Sequence, residues 1–227
     1  DLHYPLRRQR QMCIRDSYYA NVGSIFRARW KTIKLDSDKS LLWNNTISDT
    51  STSFNHFIFS CAVDLNDDIL VGGQHQTSNY DPRIIKYDSS GDVVFDMSYS
   101  RVTGNLHTIR GLATDANGFI YSSGLDGNVS PTNYSFATRK YYPNGTLIWT
   151  NISSVSNLDL FMGIALDNEL NIYSVGYDNS LGNYRAVIRK YEPDYYFWIN
   201  SIPGTFFTIN DTNMTNIAYP LNMIGVM

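Results

Sequence analysis

The sequence is short of cysteine and of glutamate, and each shortage removes a class of site. The two cysteines, Cys13 and Cys61, cannot supply the paired motifs that bind zinc. The two glutamates, Glu169 and Glu192, would leave a glycosidase to draw its paired carboxylates largely from aspartate, and nothing singles out such a pair. The composition therefore gives no support to a zinc protein and little to a glycosidase.

Several motifs that carry chemistry are missing as well. No serine lies in a G-x-S-x-G elbow, and neither a glycine-rich phosphate loop nor a dinucleotide fingerprint occurs. Helix signals are absent, and no apolar stretch is long enough to span a membrane. We therefore predict no catalytic residues, no cofactor, no metal site and no membrane span within this sequence.

The amino-terminal residues differ in character from the rest of the chain. The run RRQRQMCIRDS, residues 7–17, resembles the conceptual translation of an adapter used in sequencing libraries, and residues 1–6 fit the same reading frame. We interpret residues 1–17 as adapter-derived and residues 18–227 as native protein. The true start of the protein is then expected to be missing from the sequence.

The charge balance of the native part is mildly acidic. Residues 18–227 carry 14 Lys and Arg against 19 Asp and Glu, a net charge of −5. Phosphate contacts need clustered Lys and Arg, so nucleic acid is not an expected partner. Cys61 is the only cysteine in this part, which excludes an intrachain disulfide and predicts a small buried side chain.

A repeat of roughly 50 residues runs through the native part. Gly73, Gly124 and Gly176 recur at intervals of 51 and 52 residues, and a Lys-Tyr pair recurs at 86, 140 and 190. Each copy holds four short strands rich in Ile, Val, Tyr and Phe, separated by turns of Asp, Asn, Gly and Ser. Four-stranded units of this period are typical of the blades of a β-propeller.

We therefore predict an all-β chain, a β-propeller with about four four-stranded blades. The expected units are approximately residues 18–45, 58–100, 108–152 and 160–203, with the start of another at 213–227. Propeller rings close with about four to eight blades, so these units could nearly complete only a small ring. We therefore expect the chain to be a fragment of a larger ring.

Two segments match a known repeat type well. Residues 115–121 read DANGFIY and residues 140–149 read KYYPNGTLIW. The chain resembles the seven-bladed β-propeller (SBBP) and NHL-like repeat family over nearly all of residues 18–200, and these two segments match it best. The turn glycine of that pattern is lost at Asp67-Asp68 and at Glu169-Leu170. The resemblance implies a binding or scaffolding module of an extracytoplasmic protein, and it identifies an architecture rather than one activity.

Aspartate and lysine recur at fixed positions of the repeat. The aspartates at 64, 115 and 167 precede the first turn and form a conceivable ring of metal ligands. Aspartate beside a tight turn also accepts backbone N–H bonds, so we interpret them as turn residues. We likewise interpret the lysines at 86, 140 and 190 as side chains that pack within the blades.

The loops that follow the second strand vary most between copies. They span residues 74–81, 125–134 and 177–184, and each is polar with an aromatic residue. Loops at the channel faces of propellers carry recognition, so these loops contain our candidate ligand contacts; solvated loops without a ligand are the alternative. The candidate contacts are His75, Tyr80, Asp126, Tyr134, Asp178 and Tyr184.

Seven N-x-S/T sequons are candidate glycosylation sites. An acceptor asparagine must be exposed, so their number is compatible with a glycosylated surface protein. The asparagines are Asn44, Asn128, Asn133, Asn144, Asn151, Asn210 and Asn213.

Three functions fit these observations. The favoured hypothesis is a noncatalytic extracellular or cell-surface module that binds a protein or carbohydrate ligand. The second is a structural spacer of a surface layer or stalk. The third is part of a propeller enzyme, a lyase, glycosidase or quinone-dependent dehydrogenase, whose catalytic residues lie outside the chain.

Overall fold

The structure, a computed structural model, describes residues 12–22, 25–47, 56–76, 80–99, 106–127, 133–154, 158–179 and 183–192, with side chains from Arg29 onward. The chain divides into two units, Asp1–Pro193 and Asp194–Met227, and the second lies outside the described residues. The predicted unit at 213–227 and the end of the unit at 160–203 therefore also lie outside them.

The described residues form fourteen strands in four antiparallel sheets, which we call blades. The first blade contains β1 (Met12–Val22), β2 (Ile25–Leu35) and β3 (Leu41–Ile47). The second contains β4 (His56–Val63), β5 (Ile69–Gln76), β6 (Tyr80–Tyr87) and β7 (Val93–Ser98). The third contains β8 (Thr108–Thr114), β9 (Ile120–Gly127), β10 (Tyr134–Tyr141) and β11 (Leu147–Ser153). The fourth contains β12 (Leu160–Leu166), β13 (Ile172–Asp178) and β14 (Arg185–Tyr191).

Each blade is a meander in which consecutive strands pair. Aspartate makes the turn after the first strand, as the sequence predicted. Asp115 Oδ1 accepts hydrogen bonds from the backbone N–H of Asn117 at 2.8 Å and of Phe119 at 3.0 Å. Asp64 and Asp167 accept the same pair of bonds in their own blades. The recurring aspartates therefore close hairpins, which explains why they recur in these three copies.

The fourth residue of this turn has a left-handed backbone in all three copies. Gly118 has φ 81°, whereas the equivalent residues Asp67 and Leu170 have φ 62° and 65°. A residue with a Cβ atom is strained in this region, and glycine is not. The loss of the turn glycine noted in the sequence therefore leaves the turn conformation unchanged.

Neighbouring blades pack face to face through apolar side chains. Trp30 of the first blade is buried against Ile58, Val71 and Ile85 of the second. Leu70 and Ile84 of the second blade join a second cluster with β8, β9 and β10 of the third. Cys61, which is partly buried, packs against the first cluster. The core is therefore divided into layers between blades, as in propellers.

The first strand of the second, third and fourth blades is the inner one. Strands β4, β8 and β12 contact one another in succession, and in the second and third blades the second and third strands are mostly buried. The fourth strand β7 alternates between exposed and partly buried residues. This arrangement of four-stranded meanders around converging first strands is the β-propeller predicted from the repeat.

The junction between blades is the same in two places. The backbone N–H of His107 donates to the carbonyl of Tyr80 at 2.7 Å, and that of Asp159 donates to Tyr134 at 3.1 Å. In each case the residue that enters an inner strand is tied to the start of the third strand of the preceding blade. Tyr80 and Tyr134 are therefore held at equivalent positions near the inner strands.

The first blade includes residues that we interpreted as adapter-derived. Strand β1 begins at Met12 and pairs with β2 from Met12↔Leu35 to Val22↔Ile25. Asp16 of β1 pairs with Lys31, and Gly73 of the second blade pairs with Arg83 at the equivalent register position. The first blade therefore has an aspartate where the second blade has the recurring glycine. The assignment of residues 1–17 to an adapter stays a prediction.

Candidate functional site

A β-bulge interrupts each of the inner strands β4, β8 and β12 at the same position of the repeat. The pairing register shifts between Ile58 and Ser60, between Ile109 and Gly111, and between Phe161 and Gly163. The extra residues are Phe59, Arg110 and Met162, which we call the bulge row. A bulge releases its residue from the regular alternation and re-aims the side chain, and such positions often border functional sites.

Two members of the bulge row line a cleft between the second and third blades. The cleft has a volume of about 530 Å³, within the range of small-ligand sites. Its aromatic side chains are partly buried, so their rings meet both the protein and the open space. The lining residues are Phe57, Phe59, Gln74, Tyr80, Leu106, Arg110 and Tyr134.

The guanidinium of Arg110 stacks on an aromatic ring in this cleft. Its carbon atom lies 3.7 Å from the centre of the Phe59 ring, and the rings of Phe59 and Phe57 are stacked at 6.1 Å. The Nε of Arg110 is buried and has no hydrogen-bond partner among the described residues. Arg110 is therefore a cation that aromatic contact orients and that leaves an N–H donor unused.

Other described arginines differ from Arg110 because their guanidinium groups have oxygen partners. Arg83 forms two hydrogen bonds with the carboxylate of Asp96, and Arg185 forms two with that of Asp178 at 3.1 Å. Burial lowers the pKa of Arg110 from its ordinary value, although a guanidinium remains protonated at neutral pH. The cleft thus contains a partly desolvated positive charge that favours an anionic group.

A buried polar cluster lies beside the cleft in the third blade. Asp126 is hydrogen-bonded to His107 Nδ1 and to the guanidinium of Arg139. His107 and Asp126 are only 0% and 2% exposed. Since neither side chain reaches solvent, the cluster fastens the end of the β8–β9 hairpin and does not present a histidine–carboxylate pair to a substrate.

The equivalent positions in the other two blades carry different chemistry. In the second blade, His56 stacks on His75 with ring centres 4.5 Å apart, and its Nδ1 accepts from the backbone of Gln76. In the fourth blade, Asp159 and Asp178 are both buried. The repeat therefore keeps a polar pair at this end of each hairpin while its residues change.

The six predicted ligand contacts fall into two groups. Tyr80 and Tyr134 line the cleft, as described above. The remaining four do not line it. His75 stacks on His56, Asp126 and Asp178 are held by arginines, and Tyr184, 68% exposed, meets the Tyr177 ring edge-on at 5.2 Å. Their role in ligand contact stays a prediction.

Sequence reasoning missed the residues that complete the cleft. Phe57, Phe59, Leu106 and Arg110 lie outside the variable loops, and Gln74 begins the first of those loops but was not among the predicted contacts. A bulge has no sequence signature in a single chain, so alternation could not show that Phe59 and Arg110 leave the core face. The available signal was variation: the repeat position that holds Phe59 and Arg110 holds Met162 in the next blade.

The predicted glycosylation sites are described only in part. Asn44 lies on β3 and Asn144 in the turn before β11, and both are exposed. Asn133 and Asn151 are partly buried. Asn128, Asn210 and Asn213 lie outside the described residues. Use of any of these sites stays a prediction.

The recurring lysines have internal partners, in agreement with a packing role. Lys86 Nζ lies 2.8 Å from Asp64 and 3.0 Å from Asp68, in a largely buried ion triplet. Lys140 Nζ lies over the rings of Phe119 and Tyr121, and Lys190 over that of Tyr173. In the first blade, Lys34 Nζ donates to the backbone carbonyl of Asp67 in the next blade at 2.9 Å.

Metal-binding clusters and membrane-spanning helices are both absent from the residues that the structure describes. Three or more His, Cys, Asp or Glu side chains do not gather anywhere in this part of the chain in a way that would hold a metal ion. Within the same residues, the structure contains no helix with the length and apolar composition that crossing a membrane requires.

Comparison with known proteins finds similar solved structures but no family. No protein-family model and no curated protein sequence matches the chain. The structure is similar to the periplasmic gluconolactonase PpgL of Pseudomonas aeruginosa, with 12% identity, a TM-score of 0.41, and coverage of 78% of this chain and 49% of that one. It is also similar to an exo-1,5-alpha-L-arabinanase from a bovine ruminal metagenomic library, with 12% identity, a TM-score of 0.40, and coverage of 72% and 65%.

These similarities do not identify an activity. The chain spans about half of the first enzyme and about two thirds of the second. At 12% identity, residue roles do not transfer. The class defined by the blades and their inner strands is a β-propeller, and its function has to be inferred from the cleft.

Proposed function

We propose that this chain is a noncatalytic β-propeller module that binds carbohydrate in the cleft between its second and third blades. The observation that carries the proposal is the lining of the cleft. Four aromatic side chains, Phe57, Phe59, Tyr80 and Tyr134, surround two polar side chains, Gln74 and Arg110. Aromatic faces accommodate the C–H faces of sugar rings, while amide, phenol and guanidinium groups bond hydroxyls.

The size of the cleft favours a saccharide over a protein surface. A volume of about 530 Å³ accommodates one or a few sugar rings. A stable protein–protein contact buries roughly 1,200–2,000 Å² in total, and most of that area would have to come from outside the cleft. Phe57, Phe59 and Arg110 also belong to a paired inner strand or its bulge, so they offer a preorganised surface to a small ligand.

The proposal places the module outside the cytoplasm, at or near a cell surface. This part rests on the resemblance to SBBP and NHL-like repeats and on the sequons at the exposed Asn44 and Asn144. Glycan occupancy of Asn44 and Asn144, measured by mass spectrometry on the protein from its native source, tests it. Unmodified peptides at both sites would remove this support.

The binding function is tested by screening the purified protein against immobilised oligosaccharides and measuring the hits by calorimetry. We expect at least one saccharide to bind, and Tyr80→Ala to weaken binding by about tenfold or more, since a stacked aromatic contributes on the order of 1–2 kcal/mol. Tyr142→Ala is the matched control, because Tyr142 is an exposed tyrosine of the third blade that does not line the cleft.

The same screen separates the alternatives. A folded protein that binds no saccharide would contradict the proposal and favour a structural spacer. Saccharide binding that Tyr80→Ala and Tyr142→Ala reduce equally would place the site outside the cleft. Turnover of a bound saccharide would contradict the noncatalytic assignment and favour the enzyme alternative.

A further inference from the structure

The strongest unexplained feature of the cleft is the cation within it. The guanidinium of Arg110 is partly buried, its Nε has no partner among the described residues, and its contact in the second blade is the face of Phe59. Leaving a buried N–H donor without an acceptor costs free energy, more so on a charged group. A ligand atom that accepts a hydrogen bond from this N–H therefore gains more binding free energy than one that contacts a donor already bonded within the protein.

The environment of Arg110 contrasts with that of other arginines in neighbouring strands. Arg139, on β10 of the same blade, is neutralised by Asp126, and Arg83, on β6, by Asp96. No ion pair links Arg110 to an acidic residue among the described residues. Arg83 and Arg139 are thus neutralised by carboxylates, whereas the Nε of Arg110 faces no acceptor among the described residues.

The shape of the guanidinium narrows the class of ligand. Its planar fork matches the two oxygens of a carboxylate, and stacking on Phe59 fixes the plane of the fork before the ligand arrives. Gln74, the other polar side chain among the strand residues of the cleft, is an amide and adds no second charge. A single planar cation beside aromatic faces fits one carboxylate on a sugar ring better than it fits a polyanion.

Resting on the carbohydrate-binding function proposed above, we infer that the cleft selects acidic saccharides, and that Arg110 receives the carboxylate of a uronic acid residue. Phe59 acts as a positioning residue for the guanidinium, and the remaining aromatic side chains hold the sugar ring. Neutral saccharides of the same length bind the same aromatic surfaces without the ion pair.

The test compares a uronic acid oligosaccharide with its methyl ester, which keeps every ring and hydroxyl group and removes the charge. By calorimetry we expect wild-type protein to bind the acid at least about tenfold more tightly than the ester, since hydrogen bonds to charged groups are the stronger ones. The affinity for the acid should also fall as salt is raised, and that for the ester should not.

Two variants at position 110 test whether Arg110 causes the preference for the acid over the ester. Arg110→Gln should bind acid and ester equally, with the ester affinity of wild type, and Arg110→Lys should keep part of the preference because it keeps the charge but loses the fork. Lys190→Gln removes one positive charge from an exposed position of the fourth blade and should leave the preference unchanged. Thermal unfolding of each variant identifies any that fails to fold.

The outcomes separate the two proposals. Equal binding of acid and ester by wild type overturns the selection for acidic sugars and leaves carbohydrate binding intact. A preference that persists in Arg110→Gln places charge recognition elsewhere and overturns the role of Arg110. Failure of wild type to bind any saccharide overturns both proposals. Binding of an acidic peptide with dependence on Arg110, and of no saccharide, also overturns them in favour of a protein ligand.

Discussion

Arg110 and Phe59 are in contact across the boundary between two blades. The guanidinium carbon lies 3.7 Å from the centre of the phenyl ring, and each residue is the bulge residue of its own inner strand. Because the repeat places the bulge at the same height in both strands, two residues far apart in the chain become neighbours. The stacking restrains a long side chain whose freedom would otherwise be lost on binding a ligand.

The inner strands of the third and fourth blades approach closely at Gly111. A Cβ atom on Gly111 would lie 2.7 Å from Ser123 Oγ in its own blade and 2.8 Å from the backbone nitrogen of Ile164 in the next. We predict that Gly111→Ala lowers the free energy of unfolding by about 1–3 kcal/mol, because backbone of the next blade would have to move. Gly163→Ala is the matched control at the equivalent position of the next strand. Its nearest contact would be an ordinary 3.4 Å, to Val175 Cγ2.

Denaturant unfolding of the two variants measures this difference. A loss of stability in Gly111→Ala alone supports the close packing of neighbouring inner strands. Equal effects of the two substitutions would contradict the approach of these blades.

Leu170 occupies a left-handed turn position that glycine fills in the third blade. Its φ is 65°, and that of the equivalent Gly118 is 81°. We predict that Leu170→Gly stabilises the protein by about 0.5–1 kcal/mol, since relief of left-handed strain outweighs the extra entropy of glycine in the unfolded chain. Gly118→Ala should destabilise it by about 1 kcal/mol. Thermal midpoints that move in the same direction for both variants would contradict the shared turn geometry.

Lys86 neutralises a buried carboxylate in the second blade. Its ammonium lies between Asp64 and Asp68, and the Asp64 side chain is only 2% exposed. We predict that Lys86→Met lowers the free energy of unfolding by about 3 kcal/mol, because removal of one partner leaves a buried charge uncompensated. Lys190→Met, at the equivalent but exposed position, should change it by less than about 0.5 kcal/mol. Chemical denaturation that gives equal losses would refute the special role of Lys86.

The same triplet predicts a loss of stability at alkaline pH. Burial by itself lowers the pKa of Lys86, but hydrogen bonds and charge from Asp64 and Asp68 outweigh it and raise the pKa above its ordinary value of 10.5. A raised folded-state pKa contributes stability that is fully present below 10.5 and is lost as pH rises through the folded value. The difference in unfolding free energy between wild type and Lys86→Met should therefore shrink above pH 10.5. A difference that stays constant to the highest pH at which the protein folds reversibly would rule this out.

The blade architecture was predictable because several signals in the sequence agree. The recurring glycines, the aspartate before each first turn and the Lys-Tyr pair all have a period of roughly 50 residues, and the aspartates perform the same local task in three blades. Asp115 and Asp167, for example, accept the same two backbone hydrogen bonds. A fold can be predicted from a single sequence when the local turn residues and the global repeat agree.

The candidate site was predictable only in part. Tyr80 and Tyr134 were predicted as ligand contacts because they lie in variable polar loops, whereas Arg110 lies in a strand whose neighbours are apolar. Its exposure to the cleft depends on a bulge and on the position of the second blade, and neither is encoded in the local pattern around residue 110. Likewise, Asp126 resembles a ligand contact in the sequence but is paired with His107 and Arg139 in the structure.

The most direct test of the account is a crystal structure of the protein bound to the uronic acid oligosaccharide. We expect a sugar ring against Phe59 and Tyr80, with a carboxylate oxygen within about 2.7–3.2 Å of an Arg110 nitrogen. An oligosaccharide bound elsewhere on the protein, or seated in the cleft with its carboxylate turned away from Arg110, would contradict it.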